Sequence, residues 1–513
     1  MRHRIVSPLA GLGFCVCLAA MALVAGGCSK EPAGTRTGSN GGSNGQGGGG
    51  GKGVGSGGQA GSGGITSSGG KTTSGSGGAT GTSSGGTEGS GGTTAGGGVG
   101  AGGLNAGGAG TSTGAGGAIG GADGGPDGSP GVDASPPDGG SVPPVPTREF
   151  YWSIALAESV MKKWPTNFDA AYYRAWSYVN GYMLFGFNLL YEYTGDTKYR
   201  DYMKTYIDKF VGANGSFTRG WGGGALDDIL TGTTLVQLYE ITKDERYHTA
   251  ANTVRRAFNN YPRLSDGGFP HNGGSERYHM WIDGIFMGGL FNQRYGKTFN
   301  DAAALDEAAK QIVIYASHGE RGTTGLFVHG WDERKDAPWA DKTTGQSSEV
   351  WSEGLGWYAL AVVETLAALP QNHPNYAKVK DILVRMIAAL KDTQDPKTGR
   401  WFDVVDKGNL PDNWTDSSGT AMFVYTIRRA VELGFVPADP YAAIAERGYQ
   451  GLINPTFAKV VNGMVEVYSA CDGVNIQNNY AAYIRYNRVT NAKEGYAGFL
   501  WATAIMEKPP KKN

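Results

Sequence analysis

The phrase Leu190-Tyr-Glu-Tyr-Thr-Gly-Asp-Thr-Lys-Tyr199 returns as Leu238-Tyr-Glu-Ile-Thr-Lys-Asp-Glu-Arg-Tyr247, which sets Tyr191 and Tyr239 48 residues apart. A weaker third copy, Arg294-Tyr-Gly-Lys-Thr-Phe-Asn-Asp301, follows another apolar run. Each copy comes after a long apolar-periodic stretch and before an amphipathic one. An apolar helix, a short polar turn and an amphipathic helix, repeated, describe an array of helical hairpins. The spacing also predicts helices over Tyr151–Trp164, Ala171–Tyr193, Ser348–Leu369, Asn375–Lys391, Ser417–Leu433, Pro440–Leu452 and Glu494–Met506. Strand signals are confined to Gly399–Val405 and Met464–Tyr468. About a dozen helices, alternating very apolar with amphipathic, fit the inner and outer layers of a closed ring of hairpins. The expected fold is therefore all-α, an (α/α)6 barrel whose Gly- and Trp-rich loops at one end make the site.

The N-terminal third cannot join that ring. Most of the 87 glycines crowd between Gly38 and Gly140, among Ser, Thr and Ala. Such a stretch has too little apolar surface to offset the entropy of ordering. It reads as a flexible linker, stiffening where Asp and Pro take over between Asp123 and Pro146. Ahead of it, Arg2 and Arg4, the apolar run from Ile5 to Val24 and Ala25-Gly-Gly-Cys28 form an export signal, too short and wrongly flanked for a membrane span. The end of that signal resembles a bacterial lipobox, with Cys28 as the lipidated first residue of the mature chain. Ala25 stands where that pattern prefers Leu, and ordinary secretory cleavage is the alternative. The expected division is signal 1–28, linker 29–146 and catalytic domain 147–510, in an exported protein tethered at a bacterial cell surface or in the periplasm. Cys15 and Cys17 leave with the signal and Cys28 carries the lipid, so Cys471 has no partner for an intrachain disulfide. A net charge of −1 without a basic patch argues against nucleic acid.

Three kinds of stretch carry chemistry. In Tyr278-His-Met-Trp-Ile-Asp-Gly-Ile-Phe-Met287, one carboxylate, Asp283, sits in an apolar segment; at helical spacing Met280, Asp283 and Met287 share a face beside Trp281. Removing an ionised carboxylate from water costs several kcal/mol unless it is paired or protonated. Asp283 is thus either a structural hydrogen bonder or an acid. In Trp221-Gly-Gly-Gly-Ala-Leu-Asp-Asp-Ile229, Asp227 and Asp228 open an apolar run, as helix caps or as an acid pair. The third type of stretch combines aromatics with polar groups: His329, Trp331 and Asp332 in one segment, and Trp351, Glu353 and Trp357 in another. Such clusters suit a sugar, which offers an apolar face to stack and hydroxyls to bind. No histidine pair has zinc spacing, and no glycine run sits in a strand-turn-helix context for phosphate, so neither a metal nor a cofactor is expected.

Taken in order, Trp176-Ser-Tyr-Val-Asn-Gly181, Leu226-Asp-Asp-Ile229, Gly267-Gly-Phe-Pro-His271, Met280-Trp-Ile-Asp-Gly284, Leu326-Phe-Val-His-Gly-Trp-Asp-Glu333 and Ser417-Ser-Gly-Thr-Ala-Met422 resemble the unsaturated rhamnogalacturonyl and glucuronyl hydrolases, glycoside hydrolase family 105 and its relative family 88. The resemblance spans about Tyr151 to Met506. It implies removal of a 4,5-unsaturated uronic acid from the non-reducing end of lyase-generated oligosaccharides, from pectin-like or other uronic-acid polymers, by hydration of the double bond. It implies Asp283 as the acid, Asp227 as its partner carboxylate, and His329, Trp331 and Trp351 against the sugar. Trp281, His271, Glu353 and Asp228 complete the expected substrate-binding set. Many members carry Arg where this chain has Glu353, so either another cation meets the substrate carboxylate or the substrate differs. Two alternatives are a retaining α-mannanase-like hydrolase that uses Asp227 and Asp228, and a non-catalytic glycan-binding protein.

Overall fold

The computed structural model describes residues 150–165, 176–486 and 488–511. The export signal, Cys28, the linker and the first residues of the second predicted helix lie outside the described residues. In chain order the helices are α1 (Trp152–Lys163), α2 (Tyr178–Thr194), α3 (Thr197–Ile207), α4 (Gly232–Thr242), α5 (Glu245–Ala257), α6 (Ile282–Phe299), α7 (Ala302–Gly319), α8 (Ser352–Ala368), α9 (Tyr376–Thr393), α10 (Ser417–Glu432), α11 (Ala438–Ile453), α12 (Tyr480–Ile484) and α13 (Lys493–Glu507).

Six of these form the inner ring. Helix α2 packs on α4, α4 on α6, α6 on α8, α8 on α10, α10 on α13, and α13 returns to α2. Outside them lie α3, α5, α7, α9 and α11, each against the inner helix or helices beside it, while α1 covers α13. Every residue of α8 from Ser352 to Leu366 is buried, as a helix walled in on all sides requires. Outer α5 buries only Tyr247, Ala250, Ala251 and Val254, a single stripe at helical spacing. This is the expected (α/α)6 architecture. Tyr182, Phe286, Trp357 and Trp501, from four inner helices, pack edge-on or tilted at 4.5–6.1 Å and floor the ring.

The repeated phrase is the code for the hairpin turn. Thr194 and Thr242 each bond back to the carbonyl four residues earlier, at 2.6 Å. The next residue takes the left-handed conformation that ends a helix: Gly195, Lys243 and, in the third copy, Asn300. The Asp that follows caps the outer helix: Asp196 accepts from Lys198 N–H, Asp244 from Arg246 N–H and Asp301 from Ala304 N–H, each at 3.1 Å.

Three expectations are corrected. Residues His279–Trp281 are not helical but form strand β1, paired antiparallel with β2 (Gly330–Asp332), so Met280 faces Trp331 rather than sharing a helix face with Asp283. Asp227 and Asp228 lie on a short 3-10 turn, Leu226–Asp228, and α4 starts only at Gly232, so neither caps it. The strand expected over Gly399–Val405 shrinks to Trp401–Phe402, because its partner, Thr415–Asp416, runs directly into α10.

Candidate active site

The ring brings the starts of its inner helices together at one end. Tyr178 opens α2, Asp227 lies on the turn before α4, Asp283 and Glu353 are the second residues of α6 and α8, and Lys493 and Glu494 open α13. A cavity of about 400 Å³ lies there, lined by these residues except Glu494, with His271, Trp281 and Trp351 among its walls. Helix N-termini carry unpaired N–H groups and partial positive charge, which favours acidic side chains beside them.

Asp283 stands where the β1–β2 ribbon enters α6. The ribbon carries His329 alongside, and Ile282 N–H donates to the His329 carbonyl at 3.0 Å. His329 Nε2 lies 3.3 Å from Asp283 Oδ2, and Tyr483 hydroxyl meets His329 Nδ1 at 2.8 Å. Tyr483 also accepts from Gln477 N–H at 3.2 Å. His329 is fully buried, while 15% of the Asp283 side chain stays accessible, so the acid faces the cavity and its imidazole stands behind it. Each His329 tautomer suits one state of the acid: Nε2–H faces a carboxylate, and bare Nε2 faces a carboxyl proton.

Asp227 keeps 39% of its side chain open to the cavity, at the bottom of a protein-lined well. That enclosure pushes its carboxyl above the usual range; His271 pulls the other way, and the charges of Asp283 and Asp228 add to the rise. His271 Nε2 lies 3.8 Å from Asp227 Oδ2, and its ring stacks on Trp281 at 4.4 Å.

Asp228 does not join them. Its carboxylate turns back to accept from the N–H groups of Gly224, Ala225 and Gly223, while its carbonyl accepts from Trp176 Nε1 at 2.7 Å. Trp331 is also outside the cavity wall, with its ring stacked on His318 at 3.7 Å and its Nε1 donating to the Thr344 carbonyl. The cavity lining thus leaves out three residues expected against the sugar: Asp228 is a loop clasp, Trp331 braces β2, and His329 stands behind Asp283. Asp227, His271, Trp281, Asp283, Trp351 and Glu353 do meet in one cavity.

Some lining residues escaped sequence reasoning. Tyr178 sat inside a quoted motif but was given no role; its hydroxyl donates to Glu494 at 2.6 Å. Glu276, Asn475 and Lys493 also line the cavity. Glu276 has a visible signal in His279, three positions on, which it meets closely and which holds its carboxyl below the usual range.

The Glycosyl Hydrolase Family 88 model matches residues 152–509. The unsaturated rhamnogalacturonyl hydrolase YesR of Bacillus subtilis is 23% identical over 65% of this chain and 91% of its own length. Among solved structures, a family 105 glycoside hydrolase from C. acetobutylicum is 30% identical, covers 70% of this chain and 99% of its own, and superposes with a TM-score of 0.65. The unsaturated glucuronyl hydrolase of Bacillus sp. GL1, 15% identical over 69% of this chain and 95% of its own, shares the fold at a TM-score of 0.51. The family match runs from the first residue of α1 to just past the last of α13, the whole ring, and on that ground the chain belongs to glycosyl hydrolase family 88.

Proposed function

We propose that the protein removes a 4,5-unsaturated uronic acid from the non-reducing end of oligosaccharides that a lyase has cut from a pectin-like polymer. The observation that carries this reading is the pairing of Asp283 and Asp227 in one sugar-sized cavity. Asp283 opens α6 and Asp227 lies on the turn before the neighbouring α4, with a histidine behind the first and an aromatic wall beside both. Asp283 gives its proton to C4 of the C4=C5 bond, and positive charge develops at C5, shared with the ring oxygen. Water adds at C5 and returns a proton to Asp283, which resets the acid. The hemiketal at C5 then opens, and the exposed hemiacetal at C1 releases the aglycone. Asp227 hydrogen-bonds the sugar from the neighbouring wall, and His329 holds Asp283 on line through both of its states.

The test is the fall in ultraviolet absorbance of an unsaturated disaccharide, since only hydration consumes the chromophore. Asp283→Asn is expected to lower kcat about 1,000-fold with the fold intact, and Asp227→Asn about 100-fold. Asp228→Asn stays within about 10-fold of wild type, through a looser glycine loop. A variant ranking with Asp228 above Asp283 would restore the adjacent-pair mechanism, from which the turned-back Asp228 carboxylate argues away.

The export signal supports a second proposal, of an enzyme held at a membrane through lipid on Cys28. Among the described residues no helix is long and apolar enough to cross a membrane. In a bacterial host the full chain should sediment with membranes and Cys28→Ser should not; equal partition of both refutes the anchor.

A further inference from the structure

A uronic acid carries a carboxylate, and the cavity is acidic. Asp227, Glu276, Asp283 and Glu353 all border it. Glu276 is matched by His279, Asp283 faces His329 and Asp227 faces His271, so each imidazole already serves an acid. Among the described residues that line the cavity, Lys493 is the one permanent cation. Only 14% of its side chain is exposed. Its ammonium lies 2.9 Å from Glu494 Oε1, 3.4 Å from the Asp472 carbonyl and 3.6 Å from Asp472 Oδ1. Glu494 is fixed in turn by the Tyr178 hydroxyl. The Asp472 contacts are the longer ones, so a carboxylate in the cavity can compete with them for the ammonium while Glu494 keeps its hold.

Its place in the ring fits that task. Counting around the inner helices, α13 stands opposite α6, so Lys493 faces Asp283 across the cavity. In the unsaturated sugar the carboxylate hangs on C5, next to the C4 that receives the proton. A ring lying between the two walls therefore has its reacting carbon toward α6 and its charge toward α13. Resting on the function proposed above, we propose that Lys493, clamped by Glu494 and Asp472, is the residue that binds the substrate carboxylate and makes the enzyme specific for the free acid.

Glu353 then poses no obstacle. It is buried beside Glu494, and burial first, then the charges of Glu494 and Asp416, push its carboxyl well above the usual range. In its neutral form it is a hydrogen-bond donor and does not repel the substrate.

The experiment compares an unsaturated disaccharide with its methyl ester, which keeps the chromophore and removes the charge. Wild type should prefer the free acid by roughly 10- to 100-fold in kcat/KM. Lys493→Met should bring the two substrates within about threefold, with the loss on the acid falling mainly in KM, and Lys493→Arg should keep most of the preference. The double variant Lys493→Gln with Glu494→Gln leaves no lone buried charge, and should lose the preference in the same way if the single variant does not fold. A Lys493→Met enzyme that still prefers the acid, or that loses acid and ester equally, overturns the assignment while leaving the function intact. Wild type that consumes neither chromophore overturns the function itself.

Discussion

Asp227 and Asp228 are neighbours in sequence whose carboxylates lie in different places, and the 3-10 turn that carries them explains the split. One carboxylate points into the ring while the next folds back on the glycine loop. That Asp227 and Asp283 are candidates for one site was legible, because carboxylates in apolar segments are costly, and both line the cavity. Which member of the adjacent pair faces the cavity came only from the family resemblance, since it depends on a turn geometry that composition does not encode. Glu353 was legible only as an anomaly, a repelling charge, because the proximity of Glu494 comes from ring closure between residues 141 positions apart. Its raised pKa has a consequence for stability. Above the usual glutamate range, about pH 4.3, the unfolded chain releases this proton while the folded chain resists doing so, and wild type loses stability as pH rises. Glu353→Gln does not titrate. Its melting temperature should match wild type at acid pH and exceed it by a few degrees, on the order of 2–4 °C, near neutrality. Melting curves across pH check this, and a Gln advantage that shrinks toward neutrality would show that Glu353 is stabilised as the anion.

At the scale of elements, the hairpin turns were the clearest part of the chain to read. A back-bonding Thr, a left-handed cap and an Asp N-cap are local rules that act within seven residues. The β1–β2 ribbon was missed because its two strands lie 49 positions apart at their closest and pair for only three residues, too short for alternation to show. Yet this ribbon sets His329 beside Asp283. The close approach of α8 and α10 was equally hidden. A Cβ on Gly419 would stand 2.6 Å from Ser352 Cβ and 2.7 Å from its carbonyl carbon. Ser352 also donates to Asp416, the cap of α10, at 2.8 Å, and directly precedes Glu353. Replacing a helical Gly by Ala ordinarily gains about 1 kcal/mol. Here the backbone of α8 must move, and overpacking of that kind costs about 1–3 kcal/mol. Gly419→Ala should therefore destabilise by about 1 kcal/mol net of the helix gain, as read from denaturant midpoints. It should also raise KM as Glu353 shifts. A gain in stability would mean the two helices can part freely.

The ring of helices depends on joining its first and last elements. The first outer helix has no capping side chain of its own, since Tyr151 at its N-cap makes no such bond. Its cap comes from the last residue of α13. The Glu507 carboxylate accepts from Trp152 N–H and Ser153 N–H, both at 2.9 Å, from the Ser153 hydroxyl at 2.6 Å and from the Tyr449 hydroxyl at 2.8 Å. One side chain thus ties α1, α11 and α13 together over 355 residues of sequence. The two terminal helices were readable from periodicity, but the last was expected to stop at Met506, one residue short of this carboxylate. Nothing near Glu507 in sequence marks it as a cap, because its donors arrive only when the ring closes. A negative charge at a helix N-terminus is favourable, and hydrogen bonds to a charged group are worth about 1.5–3 kcal/mol each, with losses that do not add. Glu507→Ala should therefore cost about 2–4 kcal/mol in global stability, and Glu507→Gln less, because an amide oxygen still accepts. Hydrogen exchange should find the N–H groups at the start of α1 and the Tyr449 turn of α11 losing protection together in the alanine variant, with the Asp283 end of α6 affected only through global unfolding. Loss of protection at α1 alone, with a stability change below about 0.5 kcal/mol, would reduce Glu507 to a local cap and leave closure to the packing of α13 on α2.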